Sequence, residues 1–173
     1  MPVMATDADR TVEQRASKAG AARHPWTVQR LTKSWAERCA DVSARVIDET
    51  WPDEERRGIV SVRLRRPDVW QQLFAERSVF GVCDEAGTLL GVATVHRAGD
   101  TAYLGAHSVV LRRRGIGTAL TVARVDEARR WGCKHVVALL APGNAASAAN
   151  LTARGFTCVG TESDGSLRYA RAV

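Results

Sequence analysis

Lysine is scarce in this chain: Lys18, Lys33 and Lys134 are the only ones among 25 basic residues, and the rest are arginine. Long apolar runs are missing as well. No stretch approaches the length a membrane-spanning helix needs, and no hydrophobic segment follows the N-terminus as in a secretory leader. The expectation is therefore a cytoplasmic protein without a membrane partner. Cys39, Cys83, Cys133 and Cys158 are widely spaced and form no C-x-x-C pair, which predicts reduced thiols in or near the core. The four histidines fall in no metal-ligand spacing, so no metal is expected. Aromatic residues make up only 6% and the arginines are scattered, a poor match to a nucleic-acid-binding surface. The net charge of +6 also argues against a strongly cationic substrate. What is present, 173 residues with 45% hydrophobic content, suffices for one α/β domain with a real core.

Residues 1–25 are polar, rich in Ala and Arg, and lack apolar periodicity, so they predict a disordered tail ahead of a domain over 26–173. Trp26 to Thr32 alternates like a strand. Ser34 to about Thr50 has helical spacing, with Trp35, Cys39, Val42 and Val46 on one face. Asp53 is placed to cap a second helical region, interrupted near Pro67 and continuing to about Glu76. Ser78 to Asp84 and Thr88 to His96 read as strands joined by Asp84-Glu85-Ala86-Gly87, and Thr101 to Leu111 as a third. Beyond lie a helix over 118–131, a strand over 135–141, a helix over 145–153, and strands over 156–161 and 167–172.

The most informative segment is Arg112-Arg113-Arg114-Gly115-Ile116-Gly117, between the third of those strands and a helix on which Ile116, Ala119, Leu120 and Ala123 recur at i, i+3, i+4 and i+7. Two glycines at a helix start let several backbone N–H groups point outward together, and the helix dipole favours an anion there. Three arginines add long-range attraction for a polyphosphate. No Gly-Lys-Ser/Thr follows, so the turn is not a P-loop. Without a third glycine and a distal acidic residue it is a poor dinucleotide fingerprint.

The spacing Arg112-x-x-Gly115-x-Gly117 resembles the pyrophosphate loop of the GNAT superfamily of N-acetyltransferases. A second block, Asn144-Ala145-Ala146-Ser147 through Leu151 and then Arg154-Gly155-Phe156, resembles that family's later motif and follows the apolar strand Val136 to Leu140. The resemblance covers roughly Trp26 to Val173. It implies a single-domain α/β (α+β) fold of order β-α-α-β-β-β-α-β-α-β-β, with a mixed, mostly antiparallel central sheet flanked by helices. It also implies acetyl-CoA as co-substrate, with a homodimer through the C-terminal strands as a common arrangement. Backbone groups of Gly105, Ala106 and His107 are then expected at the acetyl carbonyl, Arg113, Arg114, Gly115, Ile116, Gly117 and Thr118 around the pyrophosphate, Arg112 at phosphate or fixing the loop, and Asn144 at the pantetheine arm or phosphates. Asn144 is equally suited to be a plain helix N-cap.

The implied reaction is acetyl transfer to the amine of a small molecule by direct attack on the thioester. The rival readings are acetylation of a protein or peptide amine, for which Arg56, Arg57, Arg63, Arg65 and Arg66 would suit an acidic acceptor, and a catalytically degenerate domain that only binds acetyl-CoA. The second has a reason, because the sequence departs from the family at its catalytic side chains. Leu151 replaces the usual tyrosine, and Thr101 and Leu139 occupy the usual glutamate positions. The remaining catalytic candidates are His107 and Tyr103, expected on one face of their strand by period two, with Asp100, His96 and Tyr169 behind them. Trp51, Trp70 and Phe74 are candidates for an apolar pocket wall or, more simply, for core.

Overall fold

A computed structural model describes residues 24–50 and 63–173. The tail up to residue 23, the Asp53 cap and Trp51, Arg56 and Arg57 lie outside the described residues. The elements are β1 (Trp26–Arg30), a 3-10 turn (Lys33–Trp35), α1 (Ala36–Thr50), α2 (Pro67–Glu76), β2 (Ser78–Asp84), β3 (Leu89–Ala98), β4 (Thr101–Val109), α3 (Ile116–Arg130), β5 (His135–Leu140), α4 (Ala145–Thr152), β6 (Thr157–Thr161) and β7 (Leu167–Ala172). They form one seven-stranded sheet of order β1-β2-β3-β4-β5-β7-β6. Every pairing is antiparallel except β4 with β5. A parallel neighbour needs a crossover, which α3 supplies. The expected element order and mixed sheet are therefore found.

Local chemistry explains the boundaries. Pro67 opens α2 at its first turn, where a missing N–H is harmless, and Arg66 before it is extended, as a residue preceding proline prefers. The β2–β3 hairpin closes with Gly87 at φ 78° and its N–H donating to the Asp84 carbonyl. Strand β4 ends at Val109 and α3 begins at Ile116, both earlier than the sequence pattern suggested, because Gly115 takes a left-handed conformation and caps the helix itself.

Two apolar layers cover the sheet. On one face Phe80, Val82, Ala93, Val95, Ala102 and Val136 pack under α3 through Ile116, Leu120, Val125 and Ala128. On the other, Val79, Cys83, Leu89 and Val92 pack against α1 and α2 through Cys39, Ala40, Val42 and Trp70. Trp70 is fully buried and its Nε1 donates to the Leu64 carbonyl at 2.8 Å, so it is core rather than pocket wall. Phe74 packs beside it. Three of the cysteines are buried as expected, but Cys158 is exposed on the edge strand β6. Burial pushes the Cys39 thiol up to about 12 and also raises Cys83, so neither offers a thiolate nucleophile at neutral pH.

Candidate functional site

The site is built around an irregularity in β4. Against β3, Ala93 pairs with His107 and Val95 with Leu104, so Gly105 and Ala106 together oppose the single residue Thr94. This two-against-one offset is a β-bulge. On its other edge β4 pairs with β5 only from Thr101 to Leu104, ending at Ala138. From Gly105 to Val109 the two parallel strands diverge, and β5 continues with β7 alone. The bulge thus sits at the vertex of an open wedge, with backbone groups on the β5-facing edge of β4 left without a strand partner. Leu139, the first β5 residue beyond the vertex, is exposed.

The arginine-glycine turn lies at the far end of the same strand. Ala119 donates to the Gly115 carbonyl at 2.9 Å. The N–H groups of Ile116, Gly117 and Thr118 therefore precede the first bond of the helix ladder, as orphan donors at the positive end of α3. Residues 111–115 are exposed, and Arg113 holds φ 58°, a left-handed conformation uncommon outside glycine. Arg112 turns away: its Nη2 donates to Thr50 Oγ1 at 2.8 Å, tying the turn to the end of α1. Asn150, which sequence reasoning overlooked, braces the turn from α4. It accepts from Thr118 Oγ1 at 3.1 Å and donates to Thr121 Oγ1 at 3.0 Å. Asn144 caps α4, its Oδ1 accepting from the Ser147 amide at 3.2 Å, which is the plain N-cap role.

On the α3 side of the bulge stands Arg124, 2% exposed. Its Nη1 donates to the carbonyls of Gly105 at 3.1 Å and Thr94 at 3.3 Å, its Nε to the Leu120 carbonyl, and its Nη2 meets His107 Nδ1 at 2.8 Å. No carboxylate pairs with it among the described residues. Desolvation lowers its pKa to about 9, so it stays charged at neutral pH. A cation beside Nδ1 requires a lone pair there, which places the proton of the neutral ring on Nε2. Desolvation and then the Arg124 charge hold the His107 pKa below the ordinary 6.5. The residue is nevertheless exposed to solvent from the open wedge. Its Nε2 edge faces Gly117, where an added Cβ would stand 3.3 Å away.

Tyr103 lies on the opposite face, contrary to the period-two expectation. The bulge absorbs one residue between it and His107 and so turns the two side chains to different sides of the sheet. Tyr103 stacks on His96 with ring centroids 5.4 Å apart, and its side chain adds to the Arg168 environment, whose main partner is Glu162. On this face Gly105 faces Thr94 Oγ1 and Arg77 Nη1, at 2.4 and 2.6 Å from where a Cβ would be, so the position admits only glycine without rearrangement. Two buried side-chain atoms here lack any hydrogen-bond partner: Thr94 Oγ1 and His96 Nδ1.

The remaining candidates have structural roles or sit elsewhere. Leu151 is core, and Thr101 and Leu139 are ordinary strand positions, so no carboxylate occupies the usual acidic positions. Tyr169 is buried in the α3-side core. Asp100 is at the β4 entrance, 4.0 Å from Lys134 Nζ. Arg65 pairs with Asp48 and Arg66 with Asp68, so this part of the arginine run is internally neutralised. An open groove bordered by Val122, Arg129, Arg154 and Arg171 involves none of the bulge residues. No His/Cys/Asp/Glu cluster suited to a metal occurs among the described residues, and no helix among them is long and apolar enough to cross a membrane.

The acetyltransferase (GNAT) family model matches residues 43–156. Among solved structures, the PaiA N-acetyltransferase of Thermoplasma acidophilum in complex with coenzyme A superposes with a TM-score of 0.76 at 12% identity, over 86% of this chain and 99% of that one. The ribosomal-protein-S5-alanine acetyltransferase of Vibrio fischeri gives 0.67 at 18% identity, over 88% and 95%. The IAA acetyltransferase of Bacillus cereus gives 0.59 at 14%, over 86% and 99%. At such identities these likenesses speak to fold alone. No curated protein matches the sequence.

Proposed function

This chain belongs to the acetyltransferase (GNAT) family, and from that premise we propose that it transfers the acetyl group of acetyl-CoA to the amine of a small molecule in the cytoplasm. The observation that carries the reading is the wedge: a bulged β4 parting from β5 at Leu104, in line with an exposed helix N-terminus flanked by arginines. Acetyl-CoA supplies an activated thioester and a pyrophosphate. The orphan amides of Ile116, Gly117 and Thr118, with Arg113 and Arg114, suit the pyrophosphate. The unpaired edge of β4 at Gly105, Ala106 and His107 suits the pantetheine arm and the acetyl carbonyl, whose oxygen gains negative charge as the amine attacks.

The balance of the reaction is simple. A neutral amine attacks the carbonyl carbon, a C–N bond forms, the C–S bond breaks, and the thiolate takes a proton as the new amide loses one. A lysine-type ammonium, with pKa about 10.4, must first shed a proton. His107 is held as an Nε2–H donor and has no lone pair free for that task, so its role here is to donate a hydrogen bond within the acetyl-CoA wedge. Deprotonation is assigned to water in the open wedge. We assign the return of a proton to the thiolate to the hydroxyl of Tyr103, which stacks on His96 and neighbours Arg168.

The test is amine-dependent thiol release from acetyl-CoA across a broad amine panel. Stimulated release by any small amine, with a kcat for Tyr103→Phe lowered at least tenfold at unchanged acetyl-CoA KM, is the expected result. Acetyl-CoA binding with no stimulated release would reduce the chain to a binding module.

A further inference from the structure

The face of the bulge opposite Arg124 carries a pattern of its own. Thr94 is fully buried and its hydroxyl has no partner, and the Nδ1 of His96, two residues on along the same face of β3, has none either. Leaving such groups unsatisfied is costly, so a native structure calls for an explanation wherever it keeps two together. Next to them stands Arg77. It follows α2, is half-buried, and its Nη1 reaches over β3 to the Cα of Gly105 at the vertex of the wedge. Its backbone N–H donates to the Leu73 carbonyl, but no hydrogen bond or ion pair engages its guanidinium among the described residues. Arg30, Arg65, Arg66, Arg129, Arg130 and Arg168 each meet a carboxylate, whereas Arg113, Arg114 and Arg154 meet none but are exposed, unlike the half-buried Arg77.

Resting on the transferase reading, we infer that the acceptor amine carries a carboxylate, received by Arg77 at the mouth of the wedge with Thr94 and His96 supplying polar atoms behind it. A planar guanidinium matches a carboxylate through two parallel hydrogen bonds. One uncompensated cation also balances one carboxylate charge, whereas a phosphate group would call for more. Glu76 at the end of α2 is exposed and receives the Gln72 amide, and its influence on His96 opposes and ranks below that of Arg77. Arg168 on β7 is already matched to Glu162. At His96 the Arg77 charge therefore outweighs that of Glu76, as expected for a half-buried cation against an exposed carboxylate.

Matched pairs of amines test this: β-alanine against propylamine, and phenylalanine against phenethylamine. Each is assayed for thiol release from acetyl-CoA, and separately titrated by calorimetry into protein saturated with CoA. The expected result is a preference of at least tenfold in kcat/KM for the carboxylate-bearing member of at least one pair. That ratio should collapse to within about twofold in Arg77→Met and in Arg77→Gln, and recover in part in Arg77→Lys. Equal or better use of the decarboxylated amines, or a preference that survives loss of Arg77, overturns the inference while leaving the transferase reading intact. Selective binding of the carboxylate amine without turnover upholds the anion site and overturns the transferase reading. Neither binding nor turnover of any member overturns both.

Discussion

The two faces of the β4 bulge are finished to different degrees. Toward α3, Arg124 places its donors on the Gly105, Thr94 and Leu120 carbonyls and on His107, and Asn150 ties Thr118 to Thr121 one turn away. Toward α2, Thr94 Oγ1, His96 Nδ1 and the Arg77 guanidinium share the same few ångströms around Gly105 and bond to nothing described. The contrast fits a division of labour in acyl transfer. A donor such as acetyl-CoA presents the same atoms each turnover and is served by a pre-organised wall. On the inferred acceptor side the polar groups stay unsatisfied within the protein, as a site that a ligand completes would leave them. Fully bonded walls set geometry, and incompletely bonded ones select.

The most severe way to break the donor side is Gly117→Trp, which drives an indole into the space between His107 and the helix N-terminus. Acetyl-CoA affinity measured by calorimetry should fall more than a hundredfold, with the far-UV circular dichroism of the fold unchanged. Arg124→Met comes next. It strips the two bulge carbonyls of their donor, and a loss of about 2–4 kcal/mol in urea unfolding is expected from those two groups. With the cation gone, the His107 ring should titrate at higher pH in a proton NMR series than it does in the wild type.

The sign of the His107 effect also makes a pH prediction. A folded-state pKa held below the unfolded value of about 6.5 means the unfolded chain binds the proton more readily, so stability is fully present above that pH and is lost as pH falls below it. The wild-type Tm should therefore drop more steeply between pH 6.5 and 4 than that of His107→Asn. Asn150→Ala removes one brace of the phosphate turn and should cost about 1–2 kcal/mol, with acetyl-CoA binding weakened several-fold. The smallest effect belongs to the other face. Thr94→Val deletes a buried hydroxyl that bonds to no protein atom, so stability should hold or rise by up to about 1 kcal/mol and should not fall. A large loss would mean that the hydroxyl has a protein partner after all and that the two faces do not differ as described.

Much of the donor side was legible in the sequence, and the reasons are local. The glycines at 115 and 117 and the apolar spacing after them mark a helix start wherever they occur, and Asn144 three residues before Ser147 marks another. The bulge was not legible, because it is a mismatch in register between β3 and β4 that neither strand displays alone. Missing it put Tyr103 and His107 on one face when they lie on two. Arg124 escaped notice for a different reason. It falls on the buried stripe of Ile116 and Leu120, one turn further on, but arginine on a helix is ordinarily solvent-facing. Recognising that stripe position was the one available signal. Arg77, Thr94 and His96 become a group only when β3 is packed beside β4 and under α2, so no spacing rule would have joined them.

The measurement that tests the central claim most directly is calorimetric titration of the protein with acetyl-CoA, beside dephospho-CoA and ATP, for the wild type and for Gly117→Trp. The account predicts one-to-one binding of acetyl-CoA that is lost in the variant and not matched by ATP. Absence of acetyl-CoA binding to the wild type, or binding of equal strength in both proteins, would contradict it.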